Sequence, residues 1–136
     1  MIHFSTLYSR LALSHIALAL ALALSITTGC GGTGAGVSDV EAATQLLEQS
    51  FEQWKAGQTP ASLREQTPAV YVADDLWEKN ARLSNFSVDG PGEQYGTNVR
   101  VRVTIAGRHA DGRNFDQKVN YLVTTVPALT IAREDR

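Results

Sequence analysis

The chain has little that could serve chemistry. Its 136 residues hold one cysteine, one methionine and three histidines. A lone thiol, Cys30, closes no internal disulfide and supplies no cysteine-based metal cluster. Strong charge of one sign is also missing: 12 Lys and Arg against 14 Asp and Glu leave a net charge of -2. Without a broad basic surface to neutralise a phosphate backbone, nucleic acid is not an expected partner. What is plentiful is apolar: 43% of the residues are hydrophobic, too many for a disordered chain and enough for the core of one domain.

No apolar run is long enough for a permanent span. Leu11 to Ile26 is mostly Leu and Ala, interrupted by Ser14, His15 and Ser25, and a spanning helix needs about 20 apolar residues. Preceded by Arg10 and ending in Thr27-Thr28-Gly29-Cys30, the run has the layout of a signal peptide. The apolar stretch followed by Thr28-Gly29-Cys30 resembles a bacterial lipobox, with Thr27 where such boxes usually carry leucine. The resemblance implies that the Cys30 thiol takes a diacylglyceryl group and anchors the protein to a bacterial membrane, with its domain on the extracytoplasmic side. Gly31, Gly32, Gly34 and Gly36 then form a flexible tether. The alternatives are a free thiol behind a conventional signal peptide and an uncleaved anchor. The division expected is residues 1–29 signal peptide, 30–37 tether and 38–136 domain. Cleavage leaves His109 as the only histidine, so no multi-histidine metal site can be built and no cofactor is expected.

The domain reads as helices first and strands afterwards. Ser38 and Glu41 fit a capping box. Val40, Ala43, Leu47, Phe51 and Trp54 then recur at helical spacing before Gly57. Thr59-Pro60 opens a second, short helix to about Gln66, and Pro68 ends it. Val70 to Val72 suggests a short strand, Asp74-Asp75 opens a single turn through Lys79, and Leu83, Phe86 and Val88 suggest a strand that ends at Asp89-Gly90-Pro91-Gly92.

Val99, Val101, Val103 and Ile105 alternate with polar residues, and Phe115, Val119, Tyr121 and Val123 do so after Asp111-Gly112. This predicts a hairpin with one buried face. A strict two-residue loop would set Val103 opposite Asn120. A three-residue loop, or a bulge near Gly107, is expected to align Ile105 with Val119, Val103 with Tyr121 and Val101 with Val123, with Arg108 opposite Asp116. Leu129 and Ile131 mark a last strand, and Arg133 to Arg136 a charged tail. The expected class is α+β, with N-terminal helices packed on a curved antiparallel β-meander.

The capped helix ending in Trp54-Lys55-Ala56-Gly57, the Asp74-Asp75-Leu76-Trp77 segment and the closing Tyr121-Leu122-Val123-Thr124-Thr125-Val126-Pro127 strand resemble a small NTF2-like or cystatin-like lipoprotein domain. Some NTF2-like proteins are isomerases or dehydratases that use Asp, His or Tyr inside a cone. That resemblance singles out Tyr71, Asp74, Asp75, Tyr95, His109 and Tyr121. Asp74 or Asp75 would be the base if desolvated, with Tyr71 or Tyr121 as hydrogen-bond donor. The structural readings are a solvent-facing helix cap for the aspartates, a core position for Tyr121 and an exposed loop for His109. Arg100, Arg102, Arg108, Arg113 and Lys118, interrupted by Asp116, suggest a basic outer sheet face. Gln117-Lys118-Val119-Asn120 lacks the glycine of the Gln-x-Val-x-Gly loop by which cystatins hold proteases.

The sequence favours a lipid-anchored cell-envelope protein with a non-catalytic binding or interaction domain. Its expected partners are the membrane through Cys30, an envelope protein, a small apolar ligand or a second copy in a homodimer. The alternative is a small NTF2-like enzyme with an aspartate base. Cys30→Ser is expected to release the domain from the membrane fraction. An unmodified Cys30 thiol, or an intact Met1 to Gly29 segment, in mass spectra of the native protein would remove the lipoprotein assignment.

Overall fold

The computed structural model describes residues 36–134. Cys30, the expected signal peptide and most of the expected tether lie outside them. Helix α1 (Val40–Lys55) buries Ala43, Leu47, Phe51 and Trp54 on one face. It is followed by α2 (Pro60–Arg64), β1 (Val70–Ala73), the single turn α3 (Asp75–Glu78), β2 (Arg82–Val88), β3 (Glu93–Tyr95), β4 (Asn98–Arg108), β5 (Asn114–Thr124) and β6 (Leu129–Arg133). The fold is α+β, as the order of helices first and strands afterwards predicts, with a curved and mostly antiparallel sheet.

The sheet is wider than a meander. Its order is β1-β6-β5-β4-β2, with β3 also paired to β4, and β1 runs parallel to β6. Parallel pairing needs a long crossover, here the whole chain from α3 to β5. No local pattern in Val70–Ala73 could announce it.

The first helix is capped differently from the expected box. Asp39 is the N-cap, its Oδ1 accepting from the Ala42 amide at 2.8 Å. Ser38 is buried: its amide donates to the Thr97 carbonyl at 3.0 Å and its Oγ accepts from the Thr125 amide at 2.9 Å. The chain entering the domain is thus pinned to the sheet before the helix starts.

The β4–β5 hairpin differs from expectation by two residues. Val99 pairs with Val123, Val101 with Tyr121, Val103 with Val119 and Ile105 with Gln117; Arg108 faces Asn114, and Asp116 faces Ala106. The loop does have three residues, but they are Ala110, Asp111 and Gly112, since His109 donates its amide to the Arg113 carbonyl. Gly112, at φ 89°, takes the left-handed position that closes such a loop. A shift of two keeps every apolar residue on its face, so alternation alone cannot detect it.

The bulge lies in β2. Leu83 and Phe86 are three apart, which in a regular strand places them on opposite faces; the irregularity between Leu83 and Asn85 returns both to the core side. Opposite stands Gly107, where an added Cβ would run into the Arg82 carbonyl oxygen and lie 2.6 Å from the Phe115 ring.

Phe51 is the centre of the core. Its ring meets those of Trp54, Trp77, Phe86 and Tyr121 edge-on at centroid distances of 5.6, 6.2, 5.4 and 5.1 Å. Trp54 and Trp77 stack on each other at 4.8 Å. Leu47, Val101 and Val103 complete the shared core of helix and sheet.

Gly107→Ala is expected to lower stability by about 1–3 kcal/mol, because backbone rather than a flexible side chain must give way. Chemical denaturation measures it; a loss below about 0.5 kcal/mol, the usual range of surface substitutions, would mean that the approach of β2 to Gly107 is looser than described.

Candidate functional site

β1 places alternate residues on the core side: Val70 and Val72 are buried, Tyr71 and Ala73 exposed. Asp74 continues that parity and is 2% exposed. Its carboxylate caps α3, Oδ1 accepting from the Leu76 and Trp77 amides at 2.8 and 3.1 Å. The cap is therefore as expected, but it lies inside the core and not in solvent. Oδ2 accepts from the Tyr121 hydroxyl at 2.6 Å.

Two further residues join this pair. Arg133, the last residue of β6, stands opposite Tyr121 on β5. Its Nη1 lies 3.7 Å from Asp74 Oδ2 and has no hydrogen-bond partner, while Nη2 donates to Gln117 Oε1 at 3.1 Å. Arg133 is thus part of the inner face and not of a free tail. Its odd-numbered parity with Leu129 and Ile131 was the available signal. Gln117 shares the odd-numbered parity of Val119 and Tyr121. It lies within a strand and joins the network through a part-buried hydrogen bond.

Burial, and then the Asp74 carboxylate, push the Tyr121 phenol far above its ordinary pKa. It is a fixed donor. Asp74 accepts three hydrogen bonds and faces a guanidinium, an arrangement that compensates a buried charge.

The remaining candidates are elsewhere. Asp75 is exposed and pairs with Lys79 at 2.9 Å, and that hydrogen bond holds its carboxyl below the usual range. Tyr71 points outward beneath the Arg64 guanidinium at 5.7 Å. Tyr95 is exposed, with the Arg100 guanidinium 3.8 Å above its ring. His109 is half-buried, packing edge-on against Phe115 at 5.2 Å. Of the four proposed catalytic residues, the fold unites only Asp74 and Tyr121.

Two hollows lie on the other side of the tryptophans. A groove of about 620 Å³ runs between the end of α1 and the start of β2, lined by Trp54, Lys55, Gln58, Asn80, Arg82 and Ser84 among others. An adjoining hollow of about 400 Å³ is bounded by Thr59, Pro60, Arg64, Trp77 and Glu78. Neither is lined by Asp74 or Tyr121. Among the described residues no cluster of His, Cys, Asp and Glu could hold a metal ion.

The outer sheet face is less basic than its cations suggest. Arg100 is held by Glu134 through two hydrogen bonds of 3.0 and 2.6 Å, Arg113 pairs with Asp111, and Lys118 is 3.8 Å from Asp89.

No protein-family model, no curated protein and no solved structure matches the chain.

Tyr121→Phe is expected to cost about 1.5–3 kcal/mol, the range for a hydrogen bond to a charged group. It should also remove a pH dependence. The unfolded phenol ionises near 10.0 while the folded one stays protonated to higher pH, so Tyr121 contributes stability below pH 10 that is lost as pH rises above it. Denaturation curves of both proteins from pH 8 to 11 check this; an equal alkaline slope in the variant would place the source elsewhere.

Proposed function

We propose that the chain is a lipid-anchored cell-envelope protein whose domain binds a partner or ligand without transforming it. One observation carries this reading: the best-placed base, Asp74, has both oxygens engaged by three donors in a packed core. General-base catalysis needs a carboxylate that can reach a substrate proton through space or one water. Asp74 instead joins α3 to β5 and faces Arg133 of β6. Membrane attachment rests on the lipobox-like Thr28-Gly29-Cys30 and the glycines that follow. The helix-first order and curved sheet support a cystatin-like or NTF2-like reading of the fold, with the parallel β1–β6 pair as its particular feature.

The enzyme alternative is favoured by one contact, the 2.6 Å Tyr121–Asp74 hydrogen bond, since a tyrosine beside a buried carboxylate is a recurrent acid–base pair. The two readings differ in the accessibility of the carboxylate. Carbodiimide coupling of an amine to the folded protein, read by peptide mass spectrometry, is expected to label Asp75 and leave Asp74 unmodified. Labelling of Asp74 at a rate comparable to Asp75 would withdraw the non-catalytic reading.

A further inference from the structure

The groove beside the tryptophans has the marks of a built site. Trp54 Nε1 donates to the Ala81 carbonyl and Trp77 Nε1 to the Gln58 carbonyl, each at 2.8 Å. One indole therefore braces the wall that leads into β2, and the other braces the loop after α1. Stacked at 4.8 Å and almost parallel, the two rings give the groove a rigid floor.

Both backbone irregularities of this region fall on its rim. Asn80 is the one non-glycine residue with positive φ among the described residues, at 61°. The β2 bulge sits between Leu83 and Asn85, beside the lining residue Ser84. Asn80 ends α3 in the left-handed conformation, with the Ala81 amide donating to the Leu76 carbonyl and the Asn80 amide to the Trp77 carbonyl, and the bulge re-aims the side chains beside it.

The charge of the lining has one sign. Lys55 and Arg82 contribute to it and no carboxylate does, although the chain carries more acids than bases. Lys55 Nζ is 3.3 Å from the exposed Glu52 on its own helix. Arg82 has no acidic partner among the described residues, and it stands opposite Arg108 in the β2–β4 register. Like charges so paired repel each other unless an anion lies between or beside them. The neutral lining groups Gln58, Thr59, Asn80 and Ser84 offer both donors and acceptors. A volume of about 620 Å³ suits a ligand of one or two sugar rings.

We infer that this groove binds an anionic sugar, a saccharide bearing a carboxylate or phosphate, with Arg82 and Lys55 on the anionic group and the amides and hydroxyls on the ring hydroxyls. The inference rests on the binding-module reading above and names its ligand class.

The chain's two tryptophans both line the groove, and their indole N–H groups are bonded to its backbone walls, so their resonances respond to a ligand that bears on those walls. Full-length protein in detergent micelles is titrated with glucuronate, glucose 6-phosphate, glucose and inorganic phosphate. Glucuronate and glucose 6-phosphate are expected to shift both indole signals, at least about tenfold more tightly than glucose, the equivalent of one charge-assisted contact. Added salt should weaken the response. Lys55→Ala with Arg82→Ala should abolish it; because Arg82 is exposed and Lys55 lies over the Phe86 ring, the circular dichroism melt of the double variant separates lost binding from lost folding. No indole shift with either anionic sugar overturns the inference, as does an equal response to inorganic phosphate or binding unchanged in the double variant. Such a failure leaves the non-catalytic reading to its own test, the labelling of Asp74.

Discussion

Three parts of the sheet system that are remote in sequence meet at the Asp74 carboxylate. The end of β1 supplies it, α3 is capped by one of its oxygens, and β5 and β6 reach the other through Tyr121 and Arg133. Much else follows from this junction. The cap fixes where Trp77 begins its turn, and Trp77 then stacks on Trp54. Tyr121 is held by its hydroxyl so that its ring can meet Phe51. A buried charge is costly unless fully compensated, and removal of one partner from such a network leaves the rest uncompensated. The polar network and the aromatic cluster are therefore one structure with two chemistries.

The periodic parts of this arrangement were readable in the sequence. Helical spacing from Val40 to Trp54 and alternation along β4 and β5 reflect burial of one face, which is a local property of each element. What could not be read depends on pairs of distant residues. The parallel β1–β6 pair joins Val70 to Leu129, and no feature of either segment names the other. Hairpin register was legible only to within two residues, because Gly112 and not Arg113 ends the loop. Ser38 has the right composition for a helix cap, yet its hydroxyl is taken by Thr125, far along the chain.

The candidate site shows the same division. Asp74 and Tyr121 could be named as residues with chemistry, and the cap before Leu76-Trp77 was visible in the pattern. Their contact with each other spans 47 positions and was not. Arg133 is hidden by position: a cation in the last residues of a chain reads as solvated, and only its parity with Ile131 places it inward. The groove gave no sequence signal, since its lining is drawn from the end of α1, the turn after α3 and the start of β2.

The pinning of Ser38 gives the domain two poles. Thr97 and Thr125 flank the paired ends of β4 and β5 at Val99 and Val123, whereas Lys55, Arg82 and the groove lie toward the opposite, Arg108 end of those strands. Helix α1 runs from one pole to the other, and its 16 residues span roughly 24 Å at 1.5 Å per residue. A pull arriving through residue 37 is delivered first to the two central strands, across hydrogen bonds to Thr97 and Thr125, before it reaches the helix. The entry of the chain into the domain and the groove thus lie at opposite ends of the sheet, joined by one helix.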